Sequence, residues 1–233
     1  MDVLLKKRLI DAAERFEQPE FIKTDPINLP HRYSERKDIE VSAMISAWMA
    51  YGSRTVFLEK LNRLHNVMDY YGGPYQYIDS KSYLLEKRCD NDCLYRFYKW
   101  YDYYQLCGRI NKVLMEEGTL EGTVDQLCKK FFGLNGIPIP GSKSANKRIN
   151  MFLRWMVRKN SLVDFGLWES INPKDLVIPL DTHVYQEALK FGLTTRHSAD
   201  SKTAIEITSA MKEIWPEDPV RGDFALYGLG INE

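Results

Sequence analysis

Three groups of residues in this 233-residue chain have types and spacing that suit chemistry. The first is Val177-Ile178-Pro179-Leu180-Asp181-Thr182-His183-Val184. An apolar, strand-like run and a proline lead there into an Asp-Thr pair and then a helix through Ala188 and Leu189. Asp181 is well placed to cap that helix, a role worth about 1 kcal/mol. Residue chemistry alone favours that structural role, and reads His183 as a satisfied structural histidine. The second group is basic. Between 141 and 160 stand Lys143, Lys147, Arg148, Arg154, Arg158 and Lys159, with no acid. On a helix Lys143, Lys147, Asn150, Arg154 and Arg158 fall within roughly 80° of one another, opposite Ile149, Phe152 and Met156. Such a face can meet phosphates, stay solvated, or pair with acids elsewhere in the chain. The third group is aromatic: Tyr95, Phe97, Tyr98, Trp100, Tyr101, Tyr103 and Tyr104. These rings can stack on bases; packing in a core is the commoner use.

Composition limits what these groups can serve. Hydrophobic residues are 44% and charged residues 27%, ordinary for a globular chain. Lys+Arg and Asp+Glu both number 32, so any surface for nucleic acid must come from local segregation of charge. The start has no long apolar run, so no signal peptide is expected. No stretch approaches the roughly 18 apolar residues of a membrane span, and a cytoplasmic location follows by default. Cys89-x3-Cys93 fits neither a common zinc spacing nor a ferredoxin spacing. With Cys107 and Cys128 these are read as lone buried thiols, and no metal is expected.

Periodicity is helical nearly throughout. Leu5, Leu9, Ala13 and Phe16 make one face of a helix over 3–16. Asp25-Pro26-Ile27-Asn28-Leu29-Pro30 breaks the chain. A second helix starts at Ser34 and ends at Gly52, and a third runs from Ser53 to the stop at Gly72-Gly73-Pro74. The aromatic run reads as one helix, followed by helices near 106–117 and from Thr123 to Phe132. After the tight connection Gly136–Gly141 a long helix is expected to about Lys159. Helices follow after Asp181, over 200–215 and near 222–229. Period-2 alternation is absent, so no sheet is expected.

Pro179-Leu180-Asp181-Thr182-His183-Val184, with Phe191-Gly192-Leu193 after it, resembles the "VDTHV…R.GL" segment of the endonuclease III-like, helix-hairpin-helix DNA glycosylases. Asp38–Ala47 is similar to their early helix, with Trp48 where its glutamine stands. Pro216–Pro219 and Phe224–Gly230 resemble their final helix. Pro140-Gly141 resembles their hairpin, without the second glycine of "PGVG". Longer motifs, Phe21–Pro26, Pro30–Tyr33, Lys147–Arg158 and Asp223–Leu226, look like signatures of an uncharacterised bacterial family of conserved hypothetical proteins.

The resemblance implies an all-α, two-lobed fold. One lobe is expected from 37–160, including the hairpin, and the other from 1–36 plus 161–233. It implies a base-excision enzyme on damaged double-stranded DNA, acting as a monomer without a cofactor. No iron–sulfur cluster is expected, because the four-cysteine loop is lacking. Asp181 would stabilise the cationic sugar as the base leaves, or activate the nucleophile. Lys143 is favoured as a lysine nucleophile by the likeness of Gly141–Asn146 to the family's "GRKTAN" run; Lys147, one helical turn on, is the alternative. Gly141, Ser142, Ser144, Arg148, Arg154 and Arg158 would hold the DNA backbone. The competing reading is a non-catalytic nucleic-acid-binding module on the same fold.

Overall fold

The computed structural model of the protein describes residues 1–85 and 89–232. It is mostly helical. In chain order the helices are α1 (Val3–Phe16), α2 (Pro19–Ile22), α3 (Arg36–Met49), α4 (Arg54–Tyr70), α5 (Pro74–Asp79), α6 (Trp100–Glu117), α7 (Val124–Lys130), α8 (Lys147–Val157), α9 (Thr182–Lys190), α10 (Ser201–Lys212) and α11 (Gly222–Asn232). Two short antiparallel strands, β1 (Cys93–Tyr95) and β2 (Tyr98–Lys99), form a hairpin before α6. Among the described residues, no helix is long and apolar enough to cross a membrane.

The chain forms two compact units, one from Met1–Thr24 with Gly141–Glu233 and the other from Asp25–Pro140. The division expected at 36/37 and 160/161 therefore moves. The reason is α8. Its polar side chains find their partners on 1–24 and 161–233, so it belongs with those segments.

In the first unit α11 lies against both α1 and α9. Leu9 and Ala13 of α1, Val184 and Ala188 of α9, Ile207 and Met211 of α10, and Ala225 and Leu226 of α11 share one core with Ile178 and Leu180. Gly228 makes the α1 approach possible, since a Cβ there would run into the Phe16 ring. The strand-like run before Asp181 lies in no strand among the described residues. Its Ile178 N–H donates instead to Thr208 Oγ1 at 3.0 Å.

In the second unit α3 is buried along nearly its whole length. Most polar groups on it are paired internally, while Ser46 Oγ has no partner among the described residues. Glu40 accepts from Arg36, Thr119 and the Leu120 backbone. Ser42 Oγ lies 2.7 Å from His65 Nε2, and His65 Nδ1 donates to Leu61 O at 2.8 Å. Burial holds His65 down to about 4, so the ring is neutral in this pairing.

The aromatic run departs from the expected single helix. Its first part is the 93–99 hairpin, where Tyr95 hydroxyl donates to Tyr51 O and Tyr98 hydroxyl to Trp48 O. Those bonds need an extended backbone that turns the phenols toward α3. The expected absence of any strand is corrected by these five residues. The second helix also starts later than expected, with Glu35 rather than Ser34 at its cap, and ends at Ala50 before Gly52. Cys107 and Cys128 are buried thiols, but Cys89 and Cys93 are exposed.

The largest correction concerns the basic helix. Residues 141–146 are not helical, and α8 covers only Lys147–Val157. Arg154 and Arg158, expected on a phosphate-facing surface, are 3% and 2% exposed. Arg158 donates to Asp218, Asp164 and Glu17, and Arg154 to Asp164 and Asp223. Arg221 also donates to Glu17 at 2.9 Å. The guanidiniums of Arg154 and Arg158 lie 4.5 and 5.2 Å from the Phe224 ring centroid. Of the outcomes open to these arginines, internal pairing is the one realised. Breaking a buried pair leaves uncompensated charge, at a cost of about 3–5 kcal/mol. Arg158→Ala should lower stability by that amount, whereas Lys143→Ala, on an exposed residue, should stay within about 0.5 kcal/mol. Urea titration followed by far-UV circular dichroism measures both.

Candidate active site

Asp181 stands as the N-cap of α9, with its Oδ1 accepting from Val184 N–H at 2.9 Å. The cap role is thus real. It uses one oxygen. The carboxylate is half-buried, and its second oxygen has no hydrogen bond among the described residues.

A second carboxylate lies within electrostatic reach. Asp223, in the first turn of α11, is buried and pairs with Arg154. Its ordinary value of 3.8 is pushed up to about 6 by burial. Arg154 opposes that rise, the negative charge of Asp181 adds to it, and Lys147 opposes it weakly. Asp223 thus senses the charges of both Asp181 and Lys147 within the first unit. They come from the starts of three helices: Lys147 is the first residue of α8, Asp181 caps α9, and Asp223 opens α11. The α9–α11 contact brings the two acids together, and Gly230 permits it, since a Cβ there would be 3.1 Å from His183 Cβ. His183 itself is exposed and meets the Tyr227 ring edge-on, at 6.0 Å between centroids.

The two lysines occupy different settings. Lys147 is half-buried and has no ion pair among the described residues. Lys143 is exposed on the 141–146 loop. That loop is pinned to the start of α10 through Ser201 N–H donating to Lys143 O at 3.0 Å and a Ser144–Asp200 bridge. Gly141, at φ +72°, Ser142 and Ser144 are exposed there. Side-chain turns shape the rest: Ser142 Oγ accepts from Ser144 N–H and Ser144 Oγ from Asn146 N–H. Asn146 then enters α8 in the left-handed region, at φ 51°. Arg148 is half-buried and engaged. Of the expected backbone-gripping residues, Gly141, Ser142 and Ser144 are accessible, and Arg154 and Arg158 are not. Among the described residues no group of three or more His, Cys, Asp or Glu is placed to hold a metal ion.

Asp223 is the residue of the candidate site that sequence reasoning missed. It stood inside a recognised motif, yet an acid in a helix's first turn reads as an ordinary partner of the helix dipole. Only the fold places it beside Asp181, 42 positions earlier.

A mostly helical protein of two units, with a lysine and two carboxylates converging at helix starts in one of them, is the class these observations define. The chain belongs to the family described as "Protein of unknown function (DUF2400)", whose model matches residues 25–232. No curated protein and no solved structure matches the chain.

The electrostatic coupling has a measurable consequence. Asp181→Asn should lower the Asp223 midpoint from about 6, and Lys147→Ala should raise it, as followed by carboxyl-carbon NMR. The sign for stability follows from proton binding. Between 3.8 and about 6 the folded protein holds this proton more tightly than the unfolded chain. The stability contributed by Asp223 is therefore fully present below 3.8 and is lost as pH rises through about 6.

Proposed function

We propose that the protein acts on the N-glycosidic bond of a damaged nucleotide in DNA, with a helix-hairpin-helix glycosylase-like fold. Lys147 serves as nucleophile and Asp181 as the carboxylate facing the reacting sugar. The single observation that carries this reading is the convergence of Lys147 and Asp181 on the field of Asp223. Departure of a base from its sugar develops positive charge on the sugar, which a carboxylate with an unused oxygen can stabilise. An amine attacking the sugar's anomeric carbon displaces the base, which leaves with a proton, and ring opening gives a Schiff base. Asp223, pushed up to about 6, titrates close enough to neutrality to hand over or receive a proton.

Lys147 replaces Lys143 as the favoured nucleophile in this reading. Lys143 is more accessible, but nothing in its setting links it to Asp181. Lys147 is linked through Asp223. Contact with the DNA backbone falls to Lys143, Ser142, Ser144 and the backbone around Gly141, a smaller basic surface than six bases without an acid suggested. Duplex binding is correspondingly weak and salt-dependent.

The test uses duplexes carrying an abasic site or one of a panel of damaged bases. Borohydride should trap the protein covalently on the abasic duplex by reducing the imine. Lys147→Ala should abolish trapping, and Lys143→Ala should leave it while weakening binding. Asp181→Asn should slow base release by about a hundredfold. If no duplex is trapped and Asp181→Asn releases base as fast as the unaltered protein, the enzyme reading fails.

A further inference from the structure

The second unit holds a cavity of about 180 Å³ with four aromatic side chains in its walls. Tyr77, Tyr83, Trp100 and Tyr104 line it, and Lys60 and Arg63, three positions apart on α4, line it with them. Among the described residues lining it there is no acid. The rings stand in two contacting pairs. Tyr77 and Tyr83 meet edge-on at 6.1 Å, and Trp100 and Tyr104 are tilted at 6.0 Å. Tyr77, Tyr83 and Tyr104 are buried.

We propose that this cavity binds a nucleotide, with the base among the rings and the phosphate on Lys60 and Arg63. The size selects the ligand first. Sites for drug-sized molecules run to about 300–1,000 Å³, so this one takes the base alone, with the phosphate outside on the half-buried Lys60 and the exposed Arg63. The walls select next. A base stacked on an aromatic side chain gains about 1–3 kcal/mol, and rings held in place lose little freedom on binding. Charge then decides between two ligands that such walls accept. An aromatic cage alone would suit a quaternary ammonium group. Two cations in the lining, with no acid, disfavour that ligand and favour one that carries an anion. Lys60 has no ion pair among the described residues, and Arg63 shares its charge with the exposed Glu59.

A polar handle completes the site. Tyr83 is 5% exposed, and its hydroxyl has no hydrogen-bond partner among the described residues. A hydroxyl without a protein partner is free to bond a ligand. The heteroatoms on the edge of a base supply the missing bond, which a plain hydrocarbon ring does not. The base comes either from a free mononucleotide or from an unpaired position in a strand, and both present the same ring and phosphate. This site does not depend on the reaction assigned to Asp181 and Lys147.

Cys93 supplies a reporter, because it lines the same cavity and is exposed, while Cys89 is exposed and does not line it. The intact protein is titrated calorimetrically with nucleoside 5′-monophosphates, the matching nucleosides and short single-stranded oligonucleotides. Alkylation of Cys93 and Cys89 is followed in parallel by mass spectrometry. A bound monophosphate should slow alkylation of Cys93 and not of Cys89. Lys60→Met should weaken the monophosphate about tenfold and leave the nucleoside unchanged. Tyr83→Phe should weaken both. Unchanged urea midpoints certify that the variants are folded, and the Lys60 variant decides alone if the Tyr83 variant is not. An oligonucleotide that binds more tightly than the monophosphate assigns the base to a strand; the reverse order assigns it to a free nucleotide. Cys93 alkylation unaffected by millimolar monophosphate and oligonucleotide alike, or a Lys60→Met protein that binds monophosphate as before, overturns the proposal.

Discussion

The first unit depends on a buried ionic network centred on Arg158. Its guanidinium reaches Glu17, Asp164 and Asp218, residues brought together from opposite ends of the chain. Asp164 passes the connection on to Arg154, which reaches Asp223, and Glu17 passes it to Arg221. Removing such charges from water is costly, and mutual attraction repays the cost only when the remaining hydrogen-bonding positions are also filled. They are filled here: Ser161 Oγ donates to Glu17 and accepts from the backbone of Val163 and Asp164. Gly166 lets the chain turn back over this point, since any Cβ would be 2.7 Å from Arg158 O. The network specifies which segments meet. An apolar cluster of similar volume would not distinguish α1 from its neighbours as sharply.

The same network sets the chemistry of the candidate site. Three arginines face four carboxylates, so the acids compete for positive charge. The excess shows in Asp223 and Asp218, both raised by burial that their arginines only partly offset. The charge of Asp181 raises Asp223 further and that of Lys147 lowers it. The burial that fixes the helices thus also moves the Asp223 proton equilibrium toward neutrality.

The second unit is organised differently. Its core helix α3 pairs Glu40 with Arg36 and Ser42 with the neutral His65, and aromatic rings do much of the packing. Tyrosines suit this because each presents an apolar ring and a polar tip. Where a tip finds a carbonyl, as with Tyr95 and Tyr98, the ring becomes a fixed strut. Where it finds none, as with Tyr83, the ring becomes part of a cavity wall with an unused donor.

Local pattern in the sequence determined the helices at 3–16, 54–70 and 182–190, the stop at Gly72-Gly73-Pro74 and the cap at Asp181. Each is decided within a few residues by periodicity, backbone freedom or a side chain bonding its own helix start. The residues of the candidate site were also legible as types: Asp181 from its motif and Lys147 from its position one turn past Lys143. Tertiary structure decided the rest. A helical wheel placed Arg154 and Arg158 opposite Phe152 and Met156 but could not say that acids at 17, 164, 218 and 223 would bury that face as well. Alternation was too short at 93–99 to show a hairpin whose register is set by phenols reaching α3. Asp223 acquired its role only when α9 and α11 packed, because a shifted carboxylate is a property of burial and neighbours, and neither is written in the spacing of residues along the chain.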